Sequence, residues 1–288
     1  MRGFFIFFFS SLGLLIFSMF LFSSSNLFIF WLFLELCVLF LIPMFFLKAE
    51  YLNLCGLFNY LIVSSLSSSF LIAGILFDSF LWFIVLGLFI KFGIFPFLGW
   101  VYSVVNNSNW YVVWGLSTFL KAPFFILPFF LSGLGQTSAY TLCTVTFVFI
   151  SFLFWVYTVS WRVCWSHIML SSSTSLIAMS FVQGLENLLP FFFVYFIWSS
   201  LSIIFISSQE DFALSGVGSC FFFVFLLVSF PFSFSIFYKL LSTGYMFSCD
   251  FYVFIAWVLY TISEQFYLLK FLIDTTIPRS MFSISFFV

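Results

Sequence analysis

Between its few charged residues the chain runs uncharged for long distances: 3–34, 51–77, 92–120, 122–161, 163–185, 187–209 and 212–238. Nearly every run exceeds the roughly 20 residues that an α-helix needs to cross the hydrocarbon core of a bilayer. Charged residues make up 6% of the sequence, against roughly 25% in an ordinary soluble domain, and mean hydropathy is +1.29. A chain of this kind is an integral membrane protein. In lipid every backbone N–H and C=O must be satisfied internally, which leaves helices or closed barrels. Barrel strands read as segments of about ten residues alternating apolar and polar, whereas these runs are continuously apolar. The expectation is therefore an all-α, polytopic transmembrane helical bundle forming a single integral membrane domain over 1–288.

Punctuation by Ser, Asn, Gly and charge predicts about eleven spans. They cover 3–22, 26–47, 54–77, 79–99, 110–131, 138–160, 163–183, 187–208, 212–230, 232–249 and 250–272, and the tail from Asp274 to Val288 is expected along the membrane surface. The apolar N-terminus has no A-x-A-like cleavage site and reads as the first helix rather than a secretory signal. The loops are short, so any chemistry belongs within the membrane or to partner chains. Phenylalanine supplies 55 of 288 residues. Its codons are rich in thymine, so the excess reads as drift among apolar residues facing lipid in a T-rich, organelle-like genome. A net charge of -1 gives no electrostatic case for nucleic acid. Six scattered cysteines form no CxxC pair, and Cys164-Trp-Ser-His167 has no second half to complete a metal site, so no metal is expected.

Position sorts the charges. Arg2, Lys48, Glu50, Asp78, Arg162, Glu186, Glu210, Asp211, Asp250, Asp274 and Arg279 fall at span ends, where long side chains snorkel to water. Glu264 and Lys270 sit late in the last span. Glu35, Lys91, Lys121 and Lys239 fall near the middle of spans. Facing lipid alone, these four would together cost roughly 10–14 kcal/mol on insertion scales, so they must face one another, partner helices or water. Two readings follow: buried ion pairs that only dock helices, or a functional relay. Three lysines to one glutamate is a poor stoichiometry for pairing and favours the relay. Proline follows or precedes each of them, at Pro43, Pro96, Pro123 and Pro231, and breaks helices by removing a backbone donor. Broken helices beside intramembrane charges are a recurring architecture of ion pathways.

These stretches resemble a known family. "WLFLELCVLFLIP" (31–43) is similar to a W-x-x-L-E-x-N-x-x-x-x-I-P motif, with Cys37 at the asparagine position, and "IKFGIFPFLGW" (90–100) is similar to L-K-x-G-x-A-P-F-H-F-W, with Leu98 at the histidine position. "STFLKAPFF" (117–125) resembles Q-K-x-A-P with the lysine one residue nearer the proline, and "FPFSFSIFYK" (230–239) resembles L-P-P-x-x-G-F-x-x-K. "SHIMLSSSTSLIAM" (166–179) resembles R-K-x-x-A-Y-S-S-I-x-H, placing His167 near a basic position. In this order, from about 31 to 240, they resemble the antiporter-like membrane subunits of proton-pumping NADH:ubiquinone oxidoreductase (respiratory complex I), the subunit-2 family of animal mitochondria in particular.

The resemblance implies an antiporter-like bundle with helix breaks at Pro96, Pro123 and Pro231, and a multi-pass protein of the mitochondrial inner membrane. It implies a proton relay in which Glu35 pairs with Lys91, Lys121 continues the axis and Lys239 lies toward its exit. His167 and the hydroxyls of Ser171, Ser172, Ser173 and Thr174 are further candidates; the bland reading of the serines is close helix packing. Burial disfavours a charged lysine and a nearby carboxylate favours it, so making or breaking such a pair switches proton affinity. No cofactor is expected in this chain. Flavin mononucleotide and iron-sulfur clusters are expected in partner subunits of the complex I membrane arm and its redox arm, and lipids such as cardiolipin around it. A stand-alone cation/proton antiporter and a purely structural subunit are the alternatives.

Overall fold

A computed structural model describes residues 2–48, 50–77, 81–125, 136–209 and 216–276. Among them there is no strand, and twelve α-helices and one 3-10 helix succeed one another. They are α1 (Arg2–Phe22), α2 (Leu27–Phe45), α3 (Tyr51–Leu76), α4 (Leu81–Phe92), α5 (Gly99–Asn107), α6 (Trp110–Ser117), the 3-10 helix Phe119–Phe125, α7 (Gln136–Val156), α8 (Trp161–Ser180), α9 (Leu185–Ser208), α10 (Gly216–Leu226), α11 (Phe234–Met246) and α12 (Phe251–Thr276). Side-chain caps open several: Asn26 Oδ1 accepts from Phe28 N (3.0 Å), and Ser160 and Ser233 hydroxyls accept from the N–H three residues on. Among the described residues six helices are long and apolar enough to cross a membrane, against about eleven spans expected from the sequence. Asp78, Glu210, Asp211 and Arg279 lie outside the described residues, as does the tail beyond Thr276.

α8 is the axis of the bundle. Every residue from Val163 to Ser180 is buried, enclosed by α5, the 3-10 helix, α7, α9, α11 and α12. It is polar for a buried helix, and falls short of the apolarity of the six long spans because it faces protein rather than lipid. Its buried hydroxyls are satisfied within the helix by bonding back to its own turns: Ser171 to Ile168 O (2.9 Å), Ser172 and Ser173 to Met169 O (2.8 and 2.9 Å), Thr174 to Leu170 O (2.8 Å) and Ser175 to Ser172 O (2.9 Å). Each hydroxyl donor is thus used, while each oxygen keeps acceptor capacity.

Two expected spans are interrupted. The span 79–99 ends at Phe92, turns through 93–98 and resumes as α5, a helix not anticipated from the sequence. Gly93 makes this turn with φ +70°, and a Cβ there would lie 2.5 Å from Val101 Cγ2. Pro96 follows a cis peptide, and at the break the Ile90 carbonyl accepts from Gly93 N–H (3.3 Å) and from the Trp100 indole (2.9 Å). The span 110–131 stops as α-helix at Ser117 and tightens into the 3-10 turn holding Lys121 and Pro123. A third break separates α10 from α11 at Pro231. There Trp198 Nε1 donates to Leu226 O (2.7 Å), the Ser235 hydroxyl donates to Leu227 O (3.2 Å), and Ser229 N–H donates to Gln265 Oε1 (2.7 Å). Pro43 differs from expectation: α2 runs through it and ends two residues later.

Candidate functional site

The breaks bring the mid-span charges to the face of α8. Lys91, one residue before the end of α4, donates to Glu35 Oε1 of α2 at 2.9 Å, with side chains 8% and 25% exposed. Lys121, 2% exposed, is held differently. Its ammonium donates to Met169 O (3.0 Å), to Tyr195 Oη (2.8 Å) and to Ser172 Oγ, and lies 4.6 Å from the Tyr195 ring centre. Among the described residues no carboxylate lies within ion-pair distance of it. Tyr195 passes its own proton to Ser117 O (3.0 Å), so this hydroxyl is fixed with its oxygen toward the lysine.

Lys239 of α11 donates to Glu264 Oε1 of α12, also at 2.9 Å, the side chains 13% and 5% exposed. Glu264 was read from sequence only as a late, ambiguous charge. It is at the middle of α12, since that helix runs on to Thr276 rather than ending near 272. Its position between Tyr260 and Leu268, both buried and one turn away on either side, is the signal available in the sequence. The pairing changes the stoichiometry: with Glu264 counted, two of the three mid-span lysines have carboxylate partners among the described residues, and Lys121 does not.

Two small cavities join these stations. One, of about 30 Å³, is lined by Leu34, Tyr60, Lys91, Lys121, Met169 and Ser173 among others. The second, of about 20 Å³, is lined by Ser171, Ser172, Ser175, Tyr260, Lys239 and Glu264 among others. Each has room for one or two waters at about 10–15 Å³ apiece. The Tyr60 hydroxyl, buried at the first cavity, has no hydrogen-bond partner among the described residues, which suits a water there. Ser172 connects the two, since its oxygen accepts from Lys121 while it lines the cavity of Glu264. The sequence Glu35, Lys91, cavity, Lys121, Ser172, cavity, Glu264, Lys239 is one polar row through an apolar bundle.

His167 stands apart from this row. It lines neither cavity, its Nδ1 lies 2.6 Å from the Tyr102 hydroxyl, and its ring packs against Phe154 at 4.7 Å. Thr174 meets Thr146 on α7 (3.4 Å) and faces away as well. Of the hydroxyls named from sequence, Ser171, Ser172 and Ser173 reach the row.

Neither a family model nor a curated protein matches the sequence. In three dimensions the chain is similar to a chain of a solved structure described as respiratory complex I from Thermus thermophilus with bound aureothin. The match covers 96% of this chain and 71% of that one, at a TM-score of 0.77 and 17% identity. At that identity the likeness is one of fold: the chain is a multi-pass, all-helical membrane protein built like a component of that assembly.

Proposed function

We propose that the chain is a core membrane-arm subunit of respiratory complex I that takes part in proton translocation coupled to NADH oxidation and ubiquinone reduction. More finely, we assign it to the subunit-2 family, made in the mitochondrion and resident in the inner membrane. The order of the Glu35, Lys91, Lys121 and Lys239 motifs supports this reading, as does the fold shared with a chain of a bacterial complex I. The phenylalanine excess supports an organellar gene.

The observation that carries the translocation reading is Lys121. An ammonium taken out of water without a counter-ion costs several kcal/mol, and a protein needing only to dock helices gains nothing from it. Placed between two lysine–glutamate pairs, with a water-sized cavity on each side, it is a station for a proton. Opening the Glu35–Lys91 pair lets Lys91 Nζ release a proton into the first cavity, from which neutral Lys121 Nζ takes it up. For the proton to leave toward Glu264, the Ser172 hydroxyl turns from Met169 O to a water in the second cavity and gives that water its own proton as its oxygen takes the proton of Lys121, which leaves Lys121 neutral and Ser172 a hydroxyl again. Lys239 and Glu264 then exchange it with the next subunit or the aqueous phase. The redox chemistry belongs to partner subunits bearing flavin mononucleotide and iron-sulfur clusters.

A docking role is the second reading, and the Lys239–Glu264 pair favours it by balancing charges. The test begins with mildly solubilised membranes. On a native gel the chain is expected to migrate with the NADH-oxidising band; migration alone would point to an independent antiporter. In assembled complex, Lys91→Met is expected to lower protons moved per NADH oxidised, and unchanged pumping would support docking.

A further inference from the structure

At one end of the bundle, three chain segments converge on a groove of about 440 Å³. Lys48 comes from the turn after α2, Asn109 caps the start of α6, and Arg162 is in the first turn of α8. We propose that this groove binds the phosphate of an anionic glycerophospholipid. The proposal rests on the chain spanning a membrane and is independent of the proton row.

The donors are built for an anion. Arg162 uses Nη1 to hold the α5–α6 loop, donating to Val105 O and Asn106 O (both 3.2 Å) and to Ser108 O. Nε and Nη2 keep their donors for a planar, two-point contact with a phosphate. Asn109 is 6% exposed and its amide is oriented by Asn53, whose Nδ2 donates to Asn109 Oδ1 (3.0 Å) and to Lys48 O (2.6 Å). The opposite end, Asn109 Nδ2, is buried and has no partner among the described residues. A buried donor left unsatisfied beside two cations calls for an acceptor. Lys48 is exposed at the rim and adds the second positive charge. Glu50 acts on Arg162 electrostatically but is exposed and does not line the groove.

The remaining lining selects a lipid over a free anion. Trp110 and Tyr111 stand beside the donors, Trp110 stacked 5.3 Å from the Arg162 guanidinium, in the manner of an aromatic belt at headgroup level. Phe7, Ile203 and Ile204 add an apolar lining that suits acyl chains. A basic pocket between helix ends, floored by apolar side chains, fits a phosphodiester with acyl chains attached.

The full chain, purified with its native partners, would be delipidated and placed in nanodiscs of phosphatidylcholine, with photoactivatable phosphatidylglycerol or photoactivatable phosphatidylcholine as probe. Labelling of the Trp110–Trp114 segment is expected to be about five-fold stronger with phosphatidylglycerol, the worth of one basic side chain beside an anionic headgroup. Lys48→Glu should remove this preference, and Lys48→Gln should weaken it if charge reversal prevents assembly. Lys270→Gln, at an exposed lysine on α12, should leave it intact. Equal labelling by both lipids, or labelling indifferent to Lys48, would overturn the proposal. So would competition by inorganic phosphate alone, or absence of labelling because a partner protein fills the groove.

Discussion

At the scale of single residues, the outcome that most changes the chemistry is the partner of Lys239. Late in its expected span, Glu264 is ambiguous from the sequence; α12 runs on to Thr276, which puts Glu264 near its centre, 5% exposed. Truncating one member of a buried pair strands the other, at a cost of about 3–5 kcal/mol. Glu264→Gln is therefore expected to lower the thermal stability of the assembled protein by that order. The exchange Lys239→Glu with Glu264→Lys restores opposite charges. Under a docking role it would recover both stability and pumping; under a relay it is expected to recover stability while pumping stays impaired, because the order of acid and base along the row is reversed. Lys239→Arg keeps the pair but holds its proton across the physiological range, and should leave assembly intact while reducing protons moved per NADH.

At the scale of elements, the three breaks position everything polar. Gly93, with φ +70° and Val101 in the space a side chain would occupy, tolerates no Cβ without movement. Gly93→Ala is expected to destabilise by about 1–3 kcal/mol, read as a lower melting temperature. Trp100→Phe removes the indole bond to Ile90 O and should cost about 1 kcal/mol. On α8 a sharper contrast is available. Ser172→Ala removes the hydroxyl joining the two cavities and should slow pumping, whereas Ser166→Ala, whose hydroxyl bonds back to Arg162 O at 2.8 Å and lines neither cavity, should not. Equal rates in the two variants would count against a path through Ser172. Prolines 96, 123 and 231 made the breaks legible in the sequence, because a missing donor within an apolar run has few other consequences. The helix resuming at Gly99 was not legible, since its polar end at Asn106–Asn109 reads as loop whether or not a helix precedes it. Nor was the central place of α8, because a serine-rich stretch shows its burial only once neighbours enclose it.

At the scale of the whole molecule, composition points to a membrane-spanning chain, and punctuation by Ser, Asn, Gly and charge marks most of its helices. Which charges meet depended on packing between distant segments, such as Glu35 with Lys91 and Lys121 with the middle of α8. The resemblance implies the first; the hydroxyl cradle of Lys121 comes from helices distant in the chain and has no local signal. In the bundle the three mid-span lysines occupy one row, and among the described residues the middle one has no acid to neutralise it. The most direct measurement is therefore the ratio of protons moved to NADH oxidised, in sealed vesicles carrying complex with Lys121→Arg or Lys121→Met. Arginine keeps a cation at the row's centre and methionine keeps only the volume; neither exchanges a proton there. Both variants are expected to assemble and to oxidise NADH with a reduced proton ratio. A wild-type ratio in both would contradict a proton path through Lys121.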